Sequence, residues 1–514
     1  MCGAERGRKV MERLGIIDLG SNSARLVIFE IAFDRSYIRI HEQKSPLRLS
    51  EGMGAEKILQ ASAMARTLET LRIFKIICRQ YQVSCLIPVA TAAVRNAQNG
   101  EELVAKIWED LGLEFRILSG VEEANYGFLG ALNTFGESEY LLFDLGGGSI
   151  ELTWVAGRQV RESISLPFGA LTLTEKWGSQ DQLKNSKCEE FFKELQKEWQ
   201  SVGWLKEARK LPLIGTGGTV RNLAKLAGRR QNYPFEKLHN YRFSGSNLSE
   251  LWEEISRSEL KERKKWAGLS ENRADLIVAG AATIVSLAEY LKSPEIIVSE
   301  SGIREGLLFE FIGAEAGDIL SASVKNLGRF YRIDEECARR VMKWSDSLFK
   351  IFKEPLNLGD PEQRFLGVAA YLCEIGKVIH PCDYARHSGY LLENSNLYGI
   401  SHSGQIFCAA LLMSRSGASW RQIRRRYGQF LEKEAWEKAI WLGLFLEFAE
   451  VLERWQGGEG FEICGEAVGD EVSLKIYSAE RPEGFEFERI LKTFRKEMGL
   501  KIQLQFVIDR GRRE

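Results

Sequence analysis

Two stretches of the chain share one pattern of apolar and polar positions. Residues 14–31, LGIIDLGSNSARLVIFEI, run apolar to an Asp, turn through Gly-Ser-Asn-Ser, and resume an apolar run broken only by Arg25. Short apolar runs joined by a small-residue turn predict a β-hairpin. Residues 140–155, YLLFDLGGGSIELTWV, repeat the order: apolar strand, Asp144-Leu145-Gly146, a turn ending in Ser149, second strand. The separation of the two Asp residues, 144 − 18 = 126 positions, is domain-sized, so one architecture is used twice. A third small-residue turn, Gly215-Thr216-Gly217-Gly218-Thr219, follows the apolar LPLI and opens a helix expected over Val220 to Ala227. Ala61 to Gln80 reads as an amphipathic helix. Leu276 to Leu291 is almost wholly apolar but short for a membrane span and carries Glu289, which predicts a buried helix.

On a coarser scale, residues 12–133 and 134–312 both mix strands with helices and read as α/β. Over 316–452 Trp, Arg, Leu and Glu recur at helical spacing, which predicts an all-α domain. The block 453–514 alternates through FEICGEAVGDEVSLKIYS before a helix and the strand KIQLQFVID, a small α/β end domain. For 514 residues, about three or four domains is the ordinary expectation.

Composition narrows the chemistry. The 70 Lys plus Arg against 71 Asp plus Glu lack the basic excess of a nucleic-acid binder, so any polyanion must meet a local patch. Nine Cys scattered from Cys2 to Cys464 without a CxxC pair suit a reducing interior, the cytoplasm. The opening MCGAERGRKVMERLG has no apolar h-region, so no secretory signal is expected, and no membrane partner. There is no G-x(4)-G-K-[ST], no HExxH and no GxSxG, and 5 His are too few to make a zinc or serine hydrolase attractive.

The turns point to phosphate. Gly and other small residues let several backbone N–H groups converge on an anion without Cβ atoms in the way, and a Ser hydroxyl adds a donor. The Asp that leads each turn is placed to hold Mg²⁺ through water, an ion that needs few carboxylates. The commonest use of such residues is simply a Gly-rich hairpin. The repetition of Asp-Leu-Gly in one context, with a third turn whose helix dipole favours an anion, tips the reading toward function.

The order DLGSNS, ATAAVR, SGVEEA, DLGGGSIEL, GTGGT, SGIREG resembles the exopolyphosphatase and guanosine pentaphosphate phosphohydrolase (Ppx/GppA) family of the sugar kinase, Hsp70 and actin superfamily. The resemblance is strong over 12–312 and weaker beyond. It implies two ribonuclease-H-like α/β domains with the active site in the cleft between them, and Mg²⁺-dependent release of a terminal phosphate. Hydrolysing a phosphoanhydride needs an oriented water, an acceptor for its proton, and positive charge on the phosphoryl oxygens. By resemblance Glu123, the second carboxylate of SGVEEA, is the base, with Glu122 its neighbour; without that resemblance both would read as helix-start acids. Arg95 matches the family's Arg and either forks onto phosphate oxygens or makes a surface or structural ion pair. Asp144 and Asp18 are assigned to Mg²⁺, and Glu151 either joins them or caps its strand. Ser21, Asn22, Ser23, Gly146, Gly147, Gly148, Ser149, Gly217, Gly218 and Thr219 are expected to cradle phosphate. Arg304 and Glu305 of SGIREG are expected to be structural, where the chain returns toward its first domain.

The helical region resembles the HD-like third domain of the long family members, but Cys373-Glu374 stands where an HD phosphohydrolase has His-Asp. His380, His387 and His402 do not replace that pair, so no second metal site is expected. Arg421, Arg424, Arg425 and Arg426 crowd one short stretch and cannot all share a helix face; they are a solvated surface or a path for a long polyphosphate. The leading substrate is inorganic polyphosphate and the runner-up guanosine pentaphosphate, which the sequence does not separate. Competing classes are an ATP-binding kinase or chaperone-like ATPase of the superfamily, and a nonenzymatic sensor. No nucleic-acid partner is expected, and a homodimer is compatible with the sequence.

Overall fold

The computed structural model describes residues 12–54, 56–178, 185–314, 317–456, 462–478 and 485–508. It divides into two compact units, Met1–Ile319 and Leu320–Glu514.

The first unit holds two sheets. One has the order β3-β2-β1-β4-β5, from β1 (Glu12–Leu19), β2 (Ser23–Ile31), β3 (Tyr37–Pro46), β4 (Cys85–Ala90) and β5 (Arg116–Ile117). The other has the order β10-β11-β9-β6-β7-β8, from β6 (Glu139–Leu145), β7 (Ile150–Ala156), β8 (Gln159–Leu166), β9 (Leu213–Thr216), β10 (Arg242–Ser244) and β11 (Glu295–Val298). Read from β8, the second sheet repeats the first: an antiparallel three-strand meander, then two parallel strands, with β10 added at the edge. The two hairpins seen in the sequence are β1–β2 and β6–β7, the centres of this two-lobed α/β core.

Helix Ile277–Leu291 is buried at every position but Glu289 and Tyr290. Its apolar length is spent inside the second lobe, where it packs on helices Ala170–Trp177, Asn185–Ser201 and Gly245–Arg257. The amphipathic stretch Ala61–Gln80 is helical at those bounds and turns Leu68, Leu71 and Phe74 into the first lobe's core. Helix Ile303–Ile312, at the end of the second α/β block, packs on helix Gly120–Leu132 and buries Leu307, Leu308, Phe309 and Ile312 against Leu14, Ile16 and Phe29 of the first sheet, the return toward the first domain expected at SGIREG. Its apolar residues face that sheet because the chain crosses back after β11.

The second unit is helical from Ile319–Phe330 to Lys433–Gln456, followed by β12 (Glu462–Val468), β13 (Glu471–Ser478), helix Phe485–Met498 and β14 (Lys501–Ile508). The division expected at 452 falls inside helix Lys433–Gln456. The end segment is not a separate core either, since the Phe494 ring packs edge-on against Phe352 and tilted against Phe445 of the helical part. Cys373 is buried and Glu374 pairs with Lys377, and among the described residues no three His, Cys, Asp or Glu are grouped to hold a metal. On helix Gly417–Tyr427, Arg421, Arg424, Arg425 and Arg426 are all exposed, and Arg426 also pairs with Glu393 at 2.9 Å. No described helix is long and apolar enough to cross a membrane.

Candidate active site

The two hairpin turns are built alike down to a single hydrogen bond. The Gly20 N–H donates to the Ser23 carbonyl at 3.2 Å, and the Gly146 N–H to the Ser149 carbonyl at 3.0 Å. The turn carbonyls are consumed elsewhere: Asn22 O accepts from Leu47 and Arg48 N–H, and Gly147 O from Leu171 and Thr172 N–H. The N–H groups of Ser21, Asn22 and Gly147 donate to no backbone carbonyl among the described residues, which leaves a set of donors from both lobes for an anion. The turns touch: a Cβ on Gly148 would stand 2.8 Å from Ser21 Oγ. The third turn completes the set. Gly217 has φ +104°, a conformation that favours glycine, and begins helix Gly218–Arg230 with its N-terminus toward the other two turns.

These turns line a cavity of about 110 Å³. Every residue expected at the site reaches it except Arg95, Gly148 and Thr219. Gly148 is spent on the contact with Ser21. Thr219 is turned away, its hydroxyl against Gly280 of the buried helix and without a hydrogen-bond partner among the described residues. Arg95 does not fork onto the cavity: its Nη1 donates to Glu123 Oε2 at 2.7 Å and to the Leu118 carbonyl at 2.8 Å.

The two glutamates of SGVEEA separate completely. Glu122 closes a capping box, its carboxylate accepting from Ser119 N–H at 2.8 Å while Ser119 Oγ accepts from Glu122 N–H; these bonds lower its pKa. Glu123 is one residue farther round the helix and 7% exposed at the cavity wall. Burial pushes its pKa up to about 7 against the pull of Arg95, with Asp144 and Asp18 adding to the rise. The S-x-x-E spacing at 119–122 was the sequence signal for this division of roles.

Register matches Asp18 with Arg25 and Asp144 with Glu151. Burial raises Asp144 to about 6, opposed first by Arg221. Its carboxylate makes no hydrogen bond or ion pair among the described residues, so a cation fits there by charge and by oxygen chemistry. Asp18 is also raised by burial, although Arg304 Nε is 4.0 Å away. Glu151, expected beside them, accepts from Ser165 Oγ at 2.7 Å, and burial with the charges of Glu123 and Asp144 holds it well above the usual carboxylate range. The three acids do not form a three-donor metal cluster, but Mg²⁺ needs only one or two carboxylates beside phosphate oxygens and waters.

Four arginines missed as site residues line the cavity: Arg25, Arg221, Arg273 and Arg304. Arg273 is 8% exposed, and its guanidinium presses on the start of helix Gly218–Arg230, where a Cβ on Gly218 would be 2.1 Å from Cζ. A cation at a helix N-terminus is unfavourable unless an anion joins it. Arg304, expected to be structural, reaches Glu42 at 3.1 Å as well as Asp18. Arg25 had a signal, a charge inside an apolar strand; Arg221 follows GTGGT by two residues. Arg273 comes from a short turn, Glu271–Arg273, and only the tertiary fold brings it in.

A profile of the Ppx/GppA phosphatase family matches residues 27–315, and one of Ppx/GppA phosphatase domain III matches 319–474. The chain belongs to the Ppx/GppA phosphatase family. As a Ppx/GppA member it is a phosphoanhydride hydrolase. Among solved structures it is similar to an exopolyphosphatase from Cytophaga hutchinsonii, at 25% identity and a TM-score of 0.56, over 60% of this chain and 100% of that one. A Ppx/GppA family member from Aquifex aeolicus matches at 29% identity and a TM-score of 0.51, over 59% and 99% of the two chains.

Proposed function

We propose that this Ppx/GppA protein is an exopolyphosphatase that hydrolyses the terminal phosphoanhydride of inorganic polyphosphate with Mg²⁺. The observation that carries the reading is Glu123, a buried carboxylate with a pKa near 7 on the wall of a cavity lined by free N–H groups and guanidinia. A base is most useful when its pKa lies near the working pH.

The terminal phosphate lies against the N–H groups of the two hairpin turns and the start of helix Gly218–Arg230. Glu123 accepts a proton from the attacking water at a carboxylate oxygen, and Arg95 fixes the orientation of that carboxylate from behind. Arg221 and Arg273 face the charge that develops on the phosphoryl oxygens, so stabilisation is electrostatic and no protein nucleophile is required. Asp144 and Asp18 would hold Mg²⁺, which would supply further positive charge at the phosphoryl oxygens.

One feature favours polyphosphate over guanosine pentaphosphate or ATP: among the described residues no Phe, Tyr or Trp lines the cavity to stack on a base. We read the helical region as an HD-like scaffold lacking the HD metal pair, and assign the enzyme to the cytoplasm, in keeping with the free described cysteines. Incubating the protein and Mg²⁺ with long polyphosphate, guanosine pentaphosphate and ATP in parallel tests this. Fastest phosphate release from polyphosphate is expected; preferential release from guanosine pentaphosphate reassigns the substrate, and ATP binding without hydrolysis of any of the three sinks the reading.

A further inference from the structure

Beyond the terminal phosphate, one row of side chains crosses the first sheet. Asp18 on β1 is paired with Arg25 on β2, and Arg25 with Lys44 on β3. Residues directly opposite in antiparallel strands point to the same face, so this row leads from the cavity toward the sheet edge, about 10 Å over two strand spacings. Arg25 and Lys44 are like charges placed opposite each other, an arrangement that destabilises a sheet.

The acids nearby are already engaged. Glu42, two residues along β3 from Lys44, accepts from Arg304 at 3.1 Å and pairs with Arg39 at 2.8 Å and Arg25 at 3.8 Å. Asp275 is taken by Arg48 at 2.6 Å. Lys44 makes no ion pair or hydrogen bond among the described residues. The groups facing it are Arg25, Asp18 and Glu42 from the sheet, Arg304 from helix Ile303–Ile312, and Arg221 and Arg273 from the second lobe. Although Lys44 is exposed as a whole, partial burial and the like charges of Arg273, Arg25, Arg221 and Arg304 pull its pKa down to about 7. Lys44 thus meets the guanidinia of Arg273, Arg25, Arg221 and Arg304 with no carboxylate of its own among the described residues, and an anion is the ligand that pairs it.

We propose that Lys44 is a substrate-positioning residue which, with its cross-strand neighbour Arg25, holds the phosphates that follow the one being cleaved. This rests on the exopolyphosphatase reading of the cavity and adds to it a subsite for the rest of the chain. Binding through linked phosphates then exceeds binding of a single phosphate because only the former spans the row.

Calorimetry at pH 8 with Mg²⁺ tests it, using tripolyphosphate and orthophosphate as probes. The parent protein carries Glu123→Gln to prevent turnover, and Lys44→Met or Lys44→Arg is added. In Lys44→Met the Kd for tripolyphosphate is expected to rise about tenfold while that for orthophosphate changes less than about twofold. Two buffers of different ionisation enthalpy report protons: the parent takes up a proton with tripolyphosphate, since the anion raises the pKa of Lys44, and Lys44→Met does not. Lys44→Arg is expected to keep most of the affinity without the uptake. Because Lys44 is mostly neutral at pH 8 and makes no ion pair or hydrogen bond among the described residues, ligand-free Lys44→Met should melt no lower than its parent. Unchanged tripolyphosphate affinity, equal weakening for both anions, or a ligand-free melt several degrees lower overturns the proposal. Failure of the underlying reading looks different: the unsubstituted enzyme then releases no phosphate from polyphosphate.

Discussion

Arg95 Nη1 lies 2.7 Å from Glu123 Oε2, and the same nitrogen holds the Leu118 carbonyl at 2.8 Å. The guanidinium thus ties the carboxylate to the backbone at the start of the helix that carries it, and in the proposed mechanism the two residues serve as a base and its support. Replacing Glu123 by Gln preserves shape while removing the proton acceptor, and a loss of about 10²–10⁴ in kcat is expected. Phosphate-release kinetics with a melting curve check this; near-normal turnover in a folded variant rejects Glu123 as the base.

The same contact sets a pH dependence. Glu123 must be ionised to accept a proton, so kcat/KM should rise as pH increases through about 7, the pKa to which burial lifts it. Arg95 opposes that rise. In Arg95→Ala the carboxylate loses its cation, its pKa climbs, and the rising limb should move to higher pH with lower maximal activity. A limb that stays in place would show that Arg95 does not act through Glu123.

Arg48 joins the lobes near the same cavity. Its N–H donates to the Asn22 carbonyl of the first turn at 3.0 Å, and its side chain pairs with Asp275 of the second lobe at 2.6 Å. The residue also sits at φ +48°, where L side chains are disfavoured. Arg48→Ala should therefore raise KM several-fold through loss of the clasp, whereas Arg48→Gly, equally unable to pair, should be about 1 kcal/mol more stable than Arg48→Ala because glycine accepts that backbone. Denaturant unfolding of the two variants side by side measures the difference.

What could be read in the sequence was local. The hairpins at Asp18 and Asp144, the Gly217 turn and the buried helix near 277–291 announce themselves through short apolar runs, small residues and period, and the inferred repetition matches the shared strand order of the two sheets. Contacts made over long separations were not legible. Arg273 reaches the start of the helix at Gly218 through tertiary packing alone, and Phe494 joins the core of the helical unit, whereas the return of helix Ile303–Ile312 to the first lobe was expected at SGIREG. Side-chain direction was the other gap: Arg95 and Thr219 sit in the expected segments, yet one is spent on Glu123 and the other faces Gly280.

Asp144 offers a metal test with a readout other than turnover. Burial raises its pKa to about 6, above the ordinary value of 3.8, so in the folded protein its charge is disfavoured and costs stability. For a carboxylate shifted upward, that cost is absent below the unfolded pKa, grows as pH rises through the interval to about 6, and is full above it. Metal-free Asp144→Asn should therefore melt higher than the wild type at pH 8, and the gap should shrink as pH falls through 6 and close near 4. Adding Mg²⁺ reverses the order, because wild type gains a counter-ion for the carboxylate and is stabilised by mass action while the variant gains little. Chelation should abolish phosphate release by the wild type. If Mg²⁺ raises the melting temperature of both proteins equally, Asp144 is not the carboxylate that holds it.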